Sequence, residues 1–330
     1  MTVDAELLRK AHGCLAGLAL GDALGLPTEM LTPETISAWY GEIRGLTPIA
    51  VQHPHHRLPL GSVSDDTDQT LILARLLVED GEIRPHRLAE RLLAWAETSR
   101  VRDNNFLGRA TRQALSALAA GASVESTGRG ETIGAAMRIA PVALACATRE
   151  RLIEQVLNAC LPTHYTQPAI SGAMAVAFGV QAALEPGATT RSMMVAAGEG
   201  ARIGGAYGVW GWTPPLDRRL GWAVQAIQGQ SVTQAARFAY EVIGVGESPW
   251  ELVTAAFVLL HATGGKPMPA LLAAANCGGD TDTLGAIVGA LGGALCGIDS
   301  LDQVILAQVC QVNGLELELE PLAEQLVSLR

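Results

Sequence analysis

Two acidic segments far apart in the chain each run directly into an apolar, helix-forming stretch. Ser64-Asp65-Asp66-Thr67-Asp68 leads into Gln69-Thr70-Leu71-Ile72-Leu73-Ala74, and Gly278-Gly279-Asp280-Thr281-Asp282-Thr283 leads into Leu284-Gly285-Ala286-Ile287-Val288. Carboxylates packed this closely repel one another unless a positive charge sits among them. Ser64 can cap its helix, and Asp65 and Asp66 then fall in the first turn, where backbone N–H groups and the helix dipole favour negative charge. Asp280 and Asp282 flank Thr281 with the same logic. Capping needs one acid at each start, and here there are more, so the clusters point to a shared cation site. If the two helix starts face each other, Asp65, Asp66, Asp280 and Asp282, with the hydroxyls of Ser64 and Thr283, form an all-oxygen ligand set. Such hard donors suit Mg²⁺ or Mn²⁺ far better than Zn²⁺. Gly278-Gly279 lets the backbone bend tightly beside the second cluster and leaves room for a ligand. Asp68 is expected as a solvated first-turn acid rather than a ligand.

The elements that must position these groups read as helices. Leu7 to Leu20 forms an opening helix, expected to end around Gly21-Asp22-Ala23-Leu24-Gly25; its Gly-x-x-x-Gly spacing suggests close helix packing. Glu29, just beyond Pro27, is free to project from a loop. Thr32-Pro33-Glu34 is a cap followed by a first-turn proline and starts another helix. Gly41 to Pro59 is turn-rich, and its His53-Pro54-His55-His56 reads as a solvated surface cluster. Apolar spacing then predicts helices over 66–80, 85–98, 107–120, 149–160, 166–185, 189–206, 216–229, 249–262, 267–275, 283–296, 301–311 and 318–328. No stretch alternates as a strand should, and no linker divides the chain, so residues 1–330 are expected to form one all-α domain.

Composition narrows the function classes. Of 330 residues, 49% are apolar but only 4% aromatic, so the core must be built from Ala, Leu, Val and Gly, which suits closely packed helices. The net charge of −10 argues against binding nucleic acid through its phosphates. The start of the chain carries acids before any apolar run, unlike a signal peptide. Thr283 to Ile298 is too short and glycine-rich for a membrane span, so no membrane partner is expected. Cys14, Cys146, Cys160, Cys277, Cys296 and Cys310 are scattered without a C-x-x-C pair, which fits small buried hydrophobes in a reducing cytosol. Trp210 and Trp212 lie in a turn-rich segment, where they either stack on a nucleobase or pack under a loop.

Taken together, Gly21-Asp22-Ala23-Leu24-Gly25 with Glu29, Ser64-Asp65-Asp66-Thr67 and Gly278-Gly279-Asp280-Thr281-Asp282-Thr283 resemble the motifs of the ADP-ribosylglycohydrolase family, which removes ADP-ribose from modified side chains. Gly134-Ala135-Ala136-Met137-Arg138 and Thr163-His164 match further family positions, and the resemblance runs from Ala11 to Ile298. It implies an all-α orthogonal multi-helix bundle with two divalent cations, Mg²⁺ or Mn²⁺, in a cleft. Carried over by motif, Ser64, Asp65, Asp66, Asp280, Asp282 and Thr283 would be metal ligands, with Glu29 at the same centre. Asp66 or Glu29 would deprotonate or steer the attacking water, and Asp22 would brace the loop that carries Glu29. His164, Gly134 and Gly108 would line the substrate pocket. The implied reaction is hydrolysis of a ribosyl N-glycosidic bond through an oxocarbenium-like transition state, with the metals holding the ribose hydroxyls and acidifying a water. The partner would be a protein carrying ADP-ribose on a side chain such as arginine.

Two stretches depart from the family pattern. Many relatives carry an acid before a glycine where this chain reads Asn105-Phe106-Leu107-Gly108-Arg109-Ala110-Thr111, with Asp103 close by but out of register. Ile133 stands where relatives often have Asn. These departures support a rival reading, a hydrolase of a smaller ribosylated molecule such as a nucleoside. A non-catalytic binding relative is a third reading, against which the presence of all four carboxylates speaks.

Overall fold

The computed structural model describes residues 4–98, 101 and 106–330. Its helices of six residues or more, in chain order, are α1 (Ala5–Gly25), α2 (Pro33–Tyr40), α3 (Asp65–Asp80), α4 (Pro85–Ala96), α5 (Arg109–Ala119), α6 (Ala140–Ala145), α7 (Arg149–Cys160), α8 (Gln167–Leu184), α9 (Thr190–Gly204), α10 (Leu216–Ala226), α11 (Val232–Phe238), α12 (Pro249–Ala262), α13 (Pro267–Ala275), α14 (Thr281–Cys296), α15 (Gln303–Asn313) and α16 (Leu319–Val327). The fold is all-α: among the described residues there is no strand, only isolated bridges at Leu31–Gly279 and Thr166–Val209. Asp103 and Asn105 lie outside the described residues.

Small side chains decide how the bundle closes. α1 and α14 run antiparallel with their backbones touching, Gly13 against Gly293, Gly17 against Gly289, Gly21 against Gly285 and Gly25 against Thr281. A Cβ on Gly289 would lie 1.8 Å from the carbonyl oxygen of Gly17, and one on Gly17 would lie 2.3 Å from that of Gly289. Four-residue spacing keeps these glycines on one face of each helix. This seam explains why α1 continues through Gly21–Gly25, where the sequence predicts an end. Glycine costs about 1 kcal/mol in a helix interior, and the backbone contact with α14 offsets it.

Around the seam, Leu, Val and Ala of α8, α12 and α13 fill one contiguous core. α8 is the one described helix long and apolar enough to cross a membrane, and most of it is buried in that core. Lys10 of α1 reaches its C-terminal end, donating to the carbonyls of Ala183 (3.0 Å) and Glu185 (2.9 Å), where a helix dipole favours a cation. Two of these helices escaped the sequence reading. α6 is a short apolar helix with Pro141 in its first turn. α11 is announced by a capping box, Ser231 with Gln234, a signal the sequence does carry. A π-helical turn, Ala239–Ile243, follows α11 and ends at Gly244 with φ +91, which delivers Val245 to the site.

Candidate active site

Antiparallel pairing of α1 with α14 brings the C-terminal end of one to the N-terminal end of the other, and the start of α3 docks there. Asp22, fully buried in the last turns of α1, accepts from the Ser64 backbone N–H (2.9 and 3.0 Å to its two oxygens), the Thr67 N–H (3.1 Å) and the Thr67 hydroxyl (2.5 Å). Asp22 therefore braces the acidic start of α3 and not, as expected, the Glu29 loop. Burial pushes its carboxyl up to about 6 against the lowering effect of these bonds.

The Glu29 loop is instead clamped to the second acidic segment. Met30 N–H donates to Gly279 O (2.7 Å), Gly279 N–H donates to Leu31 O (2.9 Å), and the Thr28 hydroxyl donates to that of Thr281 (3.0 Å). Met30 is the one described non-glycine residue with positive φ (57), so the bend that presents Glu29 is strained and held by its neighbours. Gly279 has φ +83, and a Cβ there would lie 2.0 Å from Val245 O, the same carbonyl that accepts the Asp280 N–H at 2.8 Å. Only glycine fits at that position.

These constraints bring the two clusters together. Asp66 Oδ2 accepts from the Ser64 hydroxyl (3.2 Å) on α3's start and from the Thr283 hydroxyl (3.4 Å) on α14. Glu29, Ser64, Asp65, Asp66, Asp280, Asp282 and Thr283 all line one cleft of about 450 Å³. Burial, and then the neighbouring carboxylates, holds Asp65, Asp66 and Asp282 well above the usual carboxylate range. Asp280 is pushed up to about 7, by burial first. Asp66 Oδ1 and Asp282 Oδ1 are buried without any hydrogen-bond partner. Among the described residues, no three His, Cys, Asp or Glu side chains form a group that could hold a metal ion as they stand. The donors nonetheless have the chemistry for a hard divalent cation: all are oxygens, and two of them are buried and unpaired.

The rest of the lining corrects several expectations. Gly108 and Gly134 do face the cleft, but His164 does not. It is fully buried behind Gly134, where a Cβ would lie 2.7 Å from its ring, with Nε2 3.0 Å from the Thr132 hydroxyl and Nδ1 2.8 Å from that of Thr163. Burial first, and Arg138 second, push its ring down to about 3, so it is neutral. The histidine loop is not a solvated cluster either. His53 and His55 are 3% and 8% exposed, and only His56 faces solvent. His55 Nε2 lies 3.2 Å from Glu29 Oε2, and His53 Nε2 lies 3.1 Å from the Glu29 carbonyl. Asp68 is held by Trp95 Nε1 at 3.0 Å rather than by water alone.

Sequence reasoning missed His55, Thr132, Glu247, Arg109 and Arg112, all of which line the cleft. Arg109 and Arg112 sit three residues apart in the first turn of α5, directly after Gly108, a basic pair the sequence displayed without a partner to give it meaning. Trp210 and Trp212 are 68% and 85% exposed, form an edge-to-face pair and do not line the cleft.

The family model for ADP-ribosylglycohydrolases matches residues 3–330. The chain belongs to the ADP-ribosylglycohydrolase family. Members are glycosyl hydrolases, and this chain is an enzyme of that class. The uncharacterized protein YegU of Escherichia coli K12 is 31% identical over 310 residues, 92% of each chain. The ADP-ribosyl-[dinitrogen reductase] glycohydrolase of Rhodospirillum rubrum is 27% identical over 292 residues, covering 88% of this chain and 87% of its own. A solved ADP-ribosylglycohydrolase-related protein complex matches the fold with a TM-score of 0.70 at 26% identity, covering 98% of this chain and 99% of its own. In this chain the two departures from the family pattern meet: Phe106 and Ile133 line the same cleft as the acids.

Proposed function

We propose that the chain, acting as one domain in the cytosol, removes ADP-ribose from a modified protein side chain such as arginine by hydrolysing the ribosyl N-glycosidic bond with the help of two divalent cations. The observation that carries this reading is the polarity of the cleft, in which clustered carboxylates and the guanidinium pair Arg109 and Arg112 share one lining. Two guanidiniums at a helix start suit a diphosphate, and a nucleoside has no charge to set against them.

Glu29, Asp65, Asp66, Asp280 and Asp282, with the hydroxyls of Ser64 and Thr283, would hold Mg²⁺ or Mn²⁺. Bound there, the cations would offset the repulsion among the carboxylates, hold the ribose hydroxyls and acidify a water. Asp66 is fixed through Oδ2 by Ser64 and Thr283, which leaves Oδ1 to face a cation and the attacking water that cation would bind. Glu29, held by His55 at its carboxylate and by His53 at its carbonyl, takes the proton from that water. Ile133, Phe106 and Met137 give the floor an apolar strip that excludes bulk water. Glu247, also in the lining, faces the cleft with the charge a departing guanidinium needs.

The apolar Ile133 supports a second reading, a smaller ribosylated substrate on the same machinery. Turnover of an ADP-ribosyl-arginine peptide, compared with a panel of ribonucleosides in Mg²⁺ or Mn²⁺, separates the two. Peptide cleavage without nucleoside turnover is expected; nucleoside turnover alone replaces the first reading with the second.

A further inference from the structure

Arg138 is fully buried, and its partners are neutral. Its Nη1 donates to Gln69 Oε1, its Nη2 to the Thr163 hydroxyl at 2.8 Å and to Ala159 O at 3.4 Å, and its Nε has no partner. A buried cation without a carboxylate against it is costly, so its place calls for a physical reason. Following the bonds outward gives one. A guanidinium can only donate, so it takes the amide oxygen of Gln69 and turns the amide NH₂ away from itself. That NH₂ donates to Asp65 Oδ2 at 2.8 Å. In the other direction Thr163 Oγ1 lies 2.8 Å from His164 Nδ1, and His164 Nε2 lies 3.0 Å from the Thr132 hydroxyl. Asp65 and Thr132 both line the cleft, whereas Gln69, Arg138, Thr163 and His164 do not. The four are each 0% exposed.

We propose that Arg138 is a positioning residue that acts on the cleft at two separate points, orienting the Asp65 carboxylate through Gln69 and the Thr132–Gly134 segment through Thr163 and His164. One buried cation thereby sets a cation-binding group and a second cleft-lining segment together, and places positive charge behind the acid cluster. This rests on the cleft reading above. In packing terms, His164 stands against the backbone of Gly130 and Gly134, so the ring transmits Arg138's position to the segment as well as to the Thr132 hydroxyl.

The two arms make different predictions, which a network that merely holds the fold together would not. Gln69→Met cuts the Asp65 arm and Thr163→Val cuts the Thr132 arm, each with little change in volume. The probes are Mn²⁺ alone and ADP-ribose alone, titrated calorimetrically against the full chain, with melting temperatures measured alongside. Gln69→Met is expected to weaken Mn²⁺ binding about tenfold or more while ADP-ribose affinity stays within about twofold. Thr163→Val is expected to do the reverse. Arg138→Lys, which keeps the charge but loses the fork that reaches both partners, should weaken both; if it does not fold, the single-arm variants still decide. Equal losses of both affinities in each single-arm variant, in step with the melting temperature, overturn the proposal, as does no change in either. A wild-type chain that binds neither probe overturns the proposal together with the cleft reading beneath it.

Discussion

The acid-lined and the arginine-lined parts of the cleft are built differently. The acids sit at three chain segments locked by backbone hydrogen bonds, by the four bonds on Asp22 and by a helix seam with no space for a methyl group. Gly108, Arg109 and Arg112 are exposed at the start of α5, and Gly108 offers no side-chain cap there. The difference separates two tasks. On the function proposed above, groups that would act on the ribose are fixed before substrate arrives, whereas groups that would meet the remainder of the substrate can adjust to it.

Breaking the rigid part should have the largest effect. Gly289→Ala puts a methyl group into the Gly17 carbonyl and is expected to cost about 3 kcal/mol or more, read as a large drop in melting temperature. A shift of a degree or two would mean that the seam is not what locks the acids.

Next in size are the acids themselves. Asp65→Ala, Asp280→Ala and Asp282→Ala are each expected to weaken Mn²⁺ binding and to lower kcat by about a hundredfold or more. Asp68→Asn, which keeps an acceptor for Trp95, should leave kcat within about twofold. Full activity in Asp280→Ala with unchanged metal content contradicts the assignment.

The adaptable part should respond more gently and in a different parameter. Arg109→Ala is expected to raise KM for an ADP-ribosylated peptide about tenfold with kcat nearly unchanged, the signature of lost uniform binding. An equal fall in kcat would move Arg109 into the rigid class.

The last effect shows only when pH is varied. His164 is neutral when folded, with its ring held near 3 against an ordinary value of 6.5. Below 6.5 the unfolded chain binds a proton that the folded chain refuses, so this residue's contribution falls as pH drops from 6.5 towards 3. The slope is at most about 1.4 kcal/mol per pH unit. His164→Gln should flatten the acid limb of a stability–pH curve by that amount, and identical curves for the two proteins would contradict the burial argument.

What was legible in the sequence was local. Ser64-Asp65-Asp66 and Gly279-Asp280-Thr281-Asp282 are legible because charge density and helix start coincide within a few residues, with Ser64 also capping the first. The glycine spacing of α1 announced close packing, although not that α1 would continue through Gly25. What escaped was set by distant partners. The role of Asp22 is not legible because its donors lie on Ser64 and Thr67, an association made only when α3 docks. His55 read as solvated because a turn-rich loop has no periodicity to reveal which side is buried. His164 carried the expected chemistry but stands one layer behind Gly134, a distinction of depth that no spacing encodes.

On the proposed function, the two acidic segments are halves of one cation site in a ribosyl hydrolase. A crystal structure of the chain grown with Mn²⁺ and ADP-ribose, phased to show manganese by anomalous scattering, tests it most directly. Manganese is expected within bonding distance of both Asp66 Oδ1 and Asp282 Oδ1, with the ribose hydroxyls on the same ions. Manganese bound to one segment without the other, or a ribose seated away from both, would contradict it.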